Sequence, residues 1–260
     1  MIFALCTRMN SLLKAAKRSL FFLLTLWFAT GVVIGFLTVY PFLHFTLSSP
    51  STYPMAQKIR KVWFNWCLLW GGIRIKQIVE VPLDRSKTFV ITPNHTSKLD
   101  MITLMGRLGI DFIFMGKDEF KKIPLFGLFF KTIDIPVDFN NAFKSARAYI
   151  KARKRIEEGT SITIYPEATI DRHTPKLSPF KDGAFRLAIE MQVDILPVTA
   201  IGHWKLLSDF DKYYFSPGTV IQYVHAPVST KGLTLKDIPE LKQNVFNIIA
   251  SKLSEYGYKQ

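Results

Sequence analysis

His95 and Asp100, in the run Asn94-His95-Thr96-Ser97-Lys98-Leu99-Asp100, are of the right types and spacing to move a proton. They follow a β-branched and aromatic run, Thr88-Phe89-Val90-Ile91-Thr92, closed by Pro93, and precede a stretch that reads as a helix from about Ser97 to Leu108. A strand ending there delivers its last side chains to the carboxyl edge of a sheet, where α/β folds gather their sites. Inside one helix, a separation of five residues would set two side chains about 140° apart. The spacing therefore predicts His95 in the turn before the helix and Asp100 in its first turn. From there the carboxylate can reach back to one ring nitrogen and leave the other to a substrate. A structural alternative uses the same residues, since Ser97 and Asp100 also suit a helix cap.

The elements that must position this pair read as a mixed α/β sheet flanked by helices over residues 73–260, preceded by a membrane anchor over 1–72. Ile73–Val81 and Lys87–Thr92 suggest the first two strands, and Phe112–Met115, Ile133–Val137, Ser161–Tyr165, Ile195–Ala200 and Thr219–His225 suggest five more. Helices fall between them, at Gly183–Met191 and along a final amphipathic stretch marked by Leu241, Val245, Ile248, Ile249 and Leu253. Phe143, Ala146, Ile150, Arg153 and Ile156 trace the face of another helix, ended by Gly159. Alternating strands and helices imply the α/β class. The apolar run Ile123–Phe130 is either core or a patch that meets a bilayer, framed by Lys117, Lys121, Lys122 and Lys131.

No charged residue interrupts Leu20–Leu43. As a helix this stretch would measure about 36 Å, against a hydrocarbon core of roughly 30 Å. Arg8, Lys14, Lys17 and Arg18 precede it, which holds the N-terminus on the cytoplasmic side. Lys58, Arg60 and Lys61 follow it and lead into Trp63, Trp66 and Trp70, the profile of an interfacial helix. Positive charge on both flanks predicts a two-helix hairpin, turning between Pro41 and Pro54 and returning to the cytoplasmic face of the membrane.

Composition supports a membrane-facing surface. Lys and Arg outnumber Asp and Glu by 34 to 20 over 260 residues, a net charge of +14. That surplus suits anionic lipid or nucleic acid, but no basic recognition helix or zinc spacing accompanies it. With 22 Phe, 9 Tyr and 5 Trp, the balance favours membrane lipids as partners and no nucleic acid. Two distant cysteines, Cys6 and Cys67, form neither a disulfide framework nor a metal site. His44, His203 and His225 show no ligand spacing, so the sequence assigns them no role.

Four segments in fixed order resemble the PlsC-like glycerolipid acyltransferases, which acylate lysophosphatidic acid and related lysolipids. They are Asn94–Asp100, matching the family's histidine, four residues, aspartate block; Ile133–Phe139; Tyr165-Pro166-Glu167-Ala168-Thr169 with Phe180–Phe185 downstream; and Ile195-Leu196-Pro197-Val198. The resemblance covers about residues 75–230 and implies a histidine general base, His95, steered by Asp100. It implies substrate contacts at Asn94, Ser97, Glu167, Ala168 and Thr169. Acyl-CoA or acyl-carrier protein would be co-substrate; the sequence shows no metal-ligand cluster or nucleotide-cradling glycine loop, so no bound metal or other cofactor is expected. The family also has an N-terminal two-helix membrane motif.

Acyl transfer to an alcohol needs a base for the hydroxyl proton, and imidazole, with a reference pKa of about 6.5, suits that task. The lipid hydroxyl is the nucleophile, so no Ser or Cys nucleophile is required. Departures from the family bear on the acceptor. Where it carries arginines associated with the acceptor phosphate, this chain has Phe139 and Ile170. Arg172, with His173, Lys176 and Lys181, could substitute; otherwise a phosphate-free lysolipid such as a lyso-amino-acid lipid is the acceptor. Ala168 replaces the family's glycine, a strained exchange if φ is positive there. A catalytically silent lipid-binding scaffold is the reading from another class, and the intact His95–Asp100 pair argues against it.

Overall fold

The computed structural model describes residues 2–138, 140–210 and 214–260, with side chains from residue 12 onward. Phe139 and the side chain of Cys6 thus lie outside the described residues. Helix α1 (Ile2–Thr46) runs unbroken through Pro41, the chain turns over 47–52, and α2 (Tyr53–Trp70) returns against it. The tryptophans do more than the interfacial role the sequence suggested. The indole N–H groups of Trp63, Trp66 and Trp70 donate to the carbonyls of Val32, Gly31 and Trp27 at 3.0, 2.9 and 2.9 Å. A Cβ on Gly31 would lie 2.0 Å from the Trp70 ring, and one on Gly35 2.2 Å from Trp66. Only glycine lets the indoles lie on the α1 backbone this closely, as small residues do between membrane helices. The stretch Leu12–Thr46 is long and apolar enough to cross a membrane. Leu23, Leu37, Phe42, Phe45, Val62 and Leu69 keep the outer side of the hairpin apolar and exposed.

The strands are β1 (Ile73–Val79), β2 (Val90–Pro93), β3 (Phe112–Lys117), β4 (Ile135–Val137), β5 (Ser161–Thr163), β6 (Ile195–Ile201) and β7 (Gly218–Val224). They form one sheet in the order β1-β7-β6-β2-β5-β3-β4. Pairing is parallel except between β6 and β7, so the sheet is mixed. The helices are α3 (Leu99–Arg107), α4 (Gly127–Thr132), α5 (Ala142–Glu157), α6 (Gly183–Met191), α7 (His203–Leu206) and α8 (Ile238–Glu255). Helices α5, α6 and α8 pack in sequence over β4 and β5, β2, and β6, while α2 and α3 pack on each other and on β1. Every residue of β2 and β6 is buried, as in strands covered on both faces. Phe28, Phe36 and Leu43 of α1 join the same buried cluster as the sheet, so the hairpin is packed onto the α/β body.

Two expectations are corrected. Helix α5 does not bury Phe143 and Ile150, which are 72% and 65% exposed; its inner stripe is Ala148, Ala152 and Ile156. Alanine at i and i+4 lets the helix settle close to β4 and β5, and the larger apolar side chains are left outside. The run Ile123–Phe130 is divided: Phe129 and Phe130 are core, while Ile123 is exposed.

Candidate active site

Strand β2 is flanked by β5 and β6, and its carboxyl end brings Asn94 and His95 to the sheet edge. Asn94 continues the ladder with its side chain: Nδ2 donates to the Ala200 carbonyl at 3.1 Å, and Oδ1 accepts the Ala200 N–H at 2.7 Å. This fixes the backbone from which the next residue projects. Asp100, in the first turn of α3, gathers the loop around its carboxylate. Its Oδ2 accepts the amides of Thr96 and Ser97 at 2.6 and 2.9 Å and lies 3.1 Å from His95 Nδ1. The Thr96 hydroxyl donates to Oδ1 at 3.2 Å. The carboxylate that gathers the loop before α3 therefore also holds the imidazole, in place of a helix cap. Ser97 spans outward, donating from Oγ to the Leu207 carbonyl at 2.7 Å.

With Nδ1 turned to Asp100, the other ring nitrogen is left to a cavity of about 530 Å³ that His95 lines. Lys98, Lys117 and Asp209 form part of its wall, and Phe28, Val32, Trp63, Phe64 and Cys67 of the hairpin supply another, apolar part. Lys98 is tied to Asp209 at 2.7 Å. Lys117 is half-buried, with no ion pair among the described residues. The arrangement matches an amphiphilic substrate, with a polar head near the imidazole and a chain reaching into the helices.

Glu167 sits beneath the site. Its Oε1 accepts the His95 amide at 2.7 Å and its Oε2 the Ser178 amide at 2.8 Å. Burial pushes its carboxyl up to about 7, against the two N–H donors, which pull the other way. Ala168 has φ +62, so the exchange from glycine does fall on a left-handed position. Ala168, Thr169 and Ile170 line the cavity. Arg172 stands off it, exposed, its guanidinium 5.9 Å over the ring of Phe210, which does line it. Lys181 is also exposed and off the cavity; its amide donates to the Pro166 carbonyl at 2.8 Å.

Sequence reasoning passed over several neighbours. The Tyr165 ring stacks on His95 with centroids 4.0 Å apart, and burial followed by the Asp100 charge pushes its phenol well above its ordinary range. Lys98 lies within the His95–Asp100 block itself, where its position alone could have drawn notice. Asp209 and His203 arrive from far along the chain. Among the described residues, no cluster of three or more His, Cys, Asp or Glu could hold a metal ion.

The acyltransferase family profile matches residues 74–201, which contain the His95 loop, Glu167 and β6. Residues 74–201 thus form an acyltransferase domain. It is 27% identical to a 1-acyl-sn-glycerol-3-phosphate acyltransferase of Haemophilus influenzae, over 84% of this chain and 88% of that one. It is 33% identical to the human 1-acyl-sn-glycerol-3-phosphate acyltransferase beta, over 65% of this chain and 61% of that one. An uncharacterized acyltransferase of Schizosaccharomyces pombe is 26% identical over 86% of this chain and 78% of its own length. The crystal structure of the 1-acyl-sn-glycerophosphate (LPA) acyltransferase PlsC from Thermotoga maritima has the same fold. Its TM-score is 0.74 at 22% identity, with 92% of this chain and 96% of that chain covered.

Proposed function

We propose that this acyltransferase moves a fatty acyl chain from acyl-CoA or acyl-carrier protein to the free hydroxyl of a lysolipid, by default 1-acyl-sn-glycerol 3-phosphate, giving phosphatidic acid. One observation carries the reading: an imidazole held at Nδ1 by a buried carboxylate faces a cavity walled partly by apolar helices. His95 Nε2 takes the proton of the acceptor hydroxyl as its oxygen attacks the thioester carbonyl carbon. The tetrahedral oxyanion collapses, the carbon–sulfur bond breaks, and the imidazolium returns the proton to the departing thiolate. Asp100 fixes the ring and stabilises the imidazolium while it exists. No other cofactor is needed. The apolar outer side of the hairpin would sit in the membrane, and the basic residues on both flanks favour the cytoplasmic face.

A second acceptor class is favoured by Ile170, which lines the cavity where the family resemblance implied an arginine, and by the absence of Arg172 from that lining. Under this reading the acceptor is a phosphate-free lysolipid such as a lyso-amino-acid lipid. The purified protein should be given one labelled acyl chain, as acyl-CoA and as acyl-carrier protein, with a panel of acceptors. Product with lysophosphatidic acid supports the first acceptor, and product only with lyso-amino-acid lipids supports the second. Failure with every lysolipid and both donor carriers would overturn the acyl-transfer reading.

A further inference from the structure

His203, in α7 directly after β6, is completely buried and approaches Oδ1 of Asp100, the carboxylate oxygen that His95 does not approach. Its Nε2 lies 3.0 Å from the Thr103 hydroxyl, and its Nδ1 lies 3.9 Å from Asp100 Oδ1. Among the described residues Nδ1 has no hydrogen-bond partner. The Thr103 hydroxyl also lies 3.0 Å from the Asp100 carbonyl and has only one proton to give. If that proton goes to the carbonyl, Nε2 must carry the ring hydrogen, and Nδ1 then presents a bare lone pair to a carboxylate. If it goes to Nε2, Nδ1 carries the hydrogen and points an N–H at Oδ1. Burial makes the second arrangement the stable one, because an unmatched acceptor facing an anion costs more than an N–H dipole facing it.

We infer that His203, as the Nδ1–H tautomer held by Thr103, is a positioning residue that faces an N–H to Asp100 Oδ1 and so keeps the carboxylate turned with Oδ2 toward His95. Burial keeps this second imidazole neutral, pushing its basicity down against the pull of Asp100 and of the Ile201 backbone. The other titratable or charged groups around the pair are Glu167 and Tyr165, with Lys98, Lys117 and Asp209 along the cavity; none lies between His203 and Asp100. The inference rests on the roles of His95 and Asp100 in acyl transfer.

Two substitutions separate bracing from simple packing. In His203→Asn the short amide would place a donor where Nδ1 stands. In His203→Gln the longer amide would keep only the contact with Thr103. With labelled palmitoyl-CoA and 1-acyl-sn-glycerol 3-phosphate, His203→Gln should lose roughly fivefold in kcat at unchanged KM, less than a full hydrogen bond to a charge because the contact is 3.9 Å. The acid limb of its pH profile should move up, since the unbraced carboxylate stabilises the imidazolium more. His203→Asn should keep kcat within about threefold and leave the profile in place. The reverse ranking would overturn the inference. Histidine 15N chemical shifts in the wild-type protein provide a test that needs neither activity nor a variant: Nδ1–H at His203 supports bracing, and Nε2–H rules it out. Turnover retained by His95→Ala would instead remove the acyl-transfer roles themselves, a separate failure.

Discussion

The Glu167 carboxylate accepts the backbone N–H of His95 at 2.7 Å, so the loop after β5 carries the residue that carries the imidazole. Its other oxygen holds Ser178, which ties the 178 segment to the same point. Substitution at Glu167 therefore acts on His95 without touching the ring.

That carboxyl should give the fold a measurable pH dependence. Its folded value of about 7 lies above the ordinary 4.5. Between those values the native state binds more protons than the unfolded one, so stability is fullest below about 4.5 and falls as pH rises to 7. The loss should be on the order of 3 kcal/mol at most, since each tenfold difference in proton affinity is worth about 1.4 kcal/mol. Denaturation in detergent at pH 5 and pH 7.5 should show this decline in the wild type and a smaller one in Glu167→Ala. Equal declines would mean that Glu167 stays ionised throughout.

His95→Ala should lower kcat by about 10²–10⁴-fold, the usual contribution of a general base, with little change in thermal stability. Asp100→Asn should cost both turnover and stability, since Oδ2 holds two loop amides besides the ring. Steady-state rates together with melting curves separate the two signatures. A stable Asp100→Asn at full activity would break the link between ordering of this loop and catalysis.

Much of this site was legible because it is local. His95, Thr96, Ser97 and Asp100 lie within six residues, and a strand–turn–helix with that spacing leaves the carboxylate few other places to go. The strand runs were legible for the same reason, through β-branched clusters closed by Pro or Gly. His203 was not, because its contact with Thr103 bridges a hundred positions and depends on the β2–β6 pairing. The α5 face was misread because alanine carries little hydrophobic signal, yet here it marks the side that approaches the sheet. The tryptophans of α2 read as interfacial in the sequence, and only the glycines opposite them reveal that they also seat on the α1 backbone.

Arg60 of α2 and Asp134 are paired at 2.7 Å with both side chains fully buried. The guanidinium also lies 4.9 Å over the Phe129 ring and 5.5 Å over Phe114. Arg60→Ala would strand a buried carboxylate and should cost about 3–5 kcal/mol. Replacing both partners by apolar residues, Arg60→Met with Asp134→Leu, should recover most of that loss. Chemical denaturation of the single and double variants tests this, and additive losses would show that the residues do not act as a pair.

The acceptor's head group should depend on Lys117 more than on Arg172. Lys117 lines the cavity with His95 and has no ion pair among the described residues, whereas Arg172 lies off the lining, against Phe210. With lysophosphatidic acid, Lys117→Ala should raise KM by roughly tenfold, the worth of one charge-assisted contact, and Arg172→Ala by less than about twofold. The opposite ranking would bring the 172 loop to the substrate during turnover.

Cys67 tests whether the apolar part of the cavity receives the acyl chain. It is buried, and it faces the cavity from α2 alongside Trp63 and Phe64. Cys67→Trp would fill space that a long chain needs while leaving His95 and Asp100 untouched. Excluding even one methylene of the chain from an apolar pocket is worth about 1–3 kcal/mol, so kcat/KM for a sixteen-carbon donor should drop roughly tenfold or more. A short-chain donor, which does not reach Cys67, should be used as well as by the wild type, and its retained rate also shows that the variant is folded. Equal losses for both donors would place the chain elsewhere, and unchanged rates for both would mean that this part of the cavity receives no substrate.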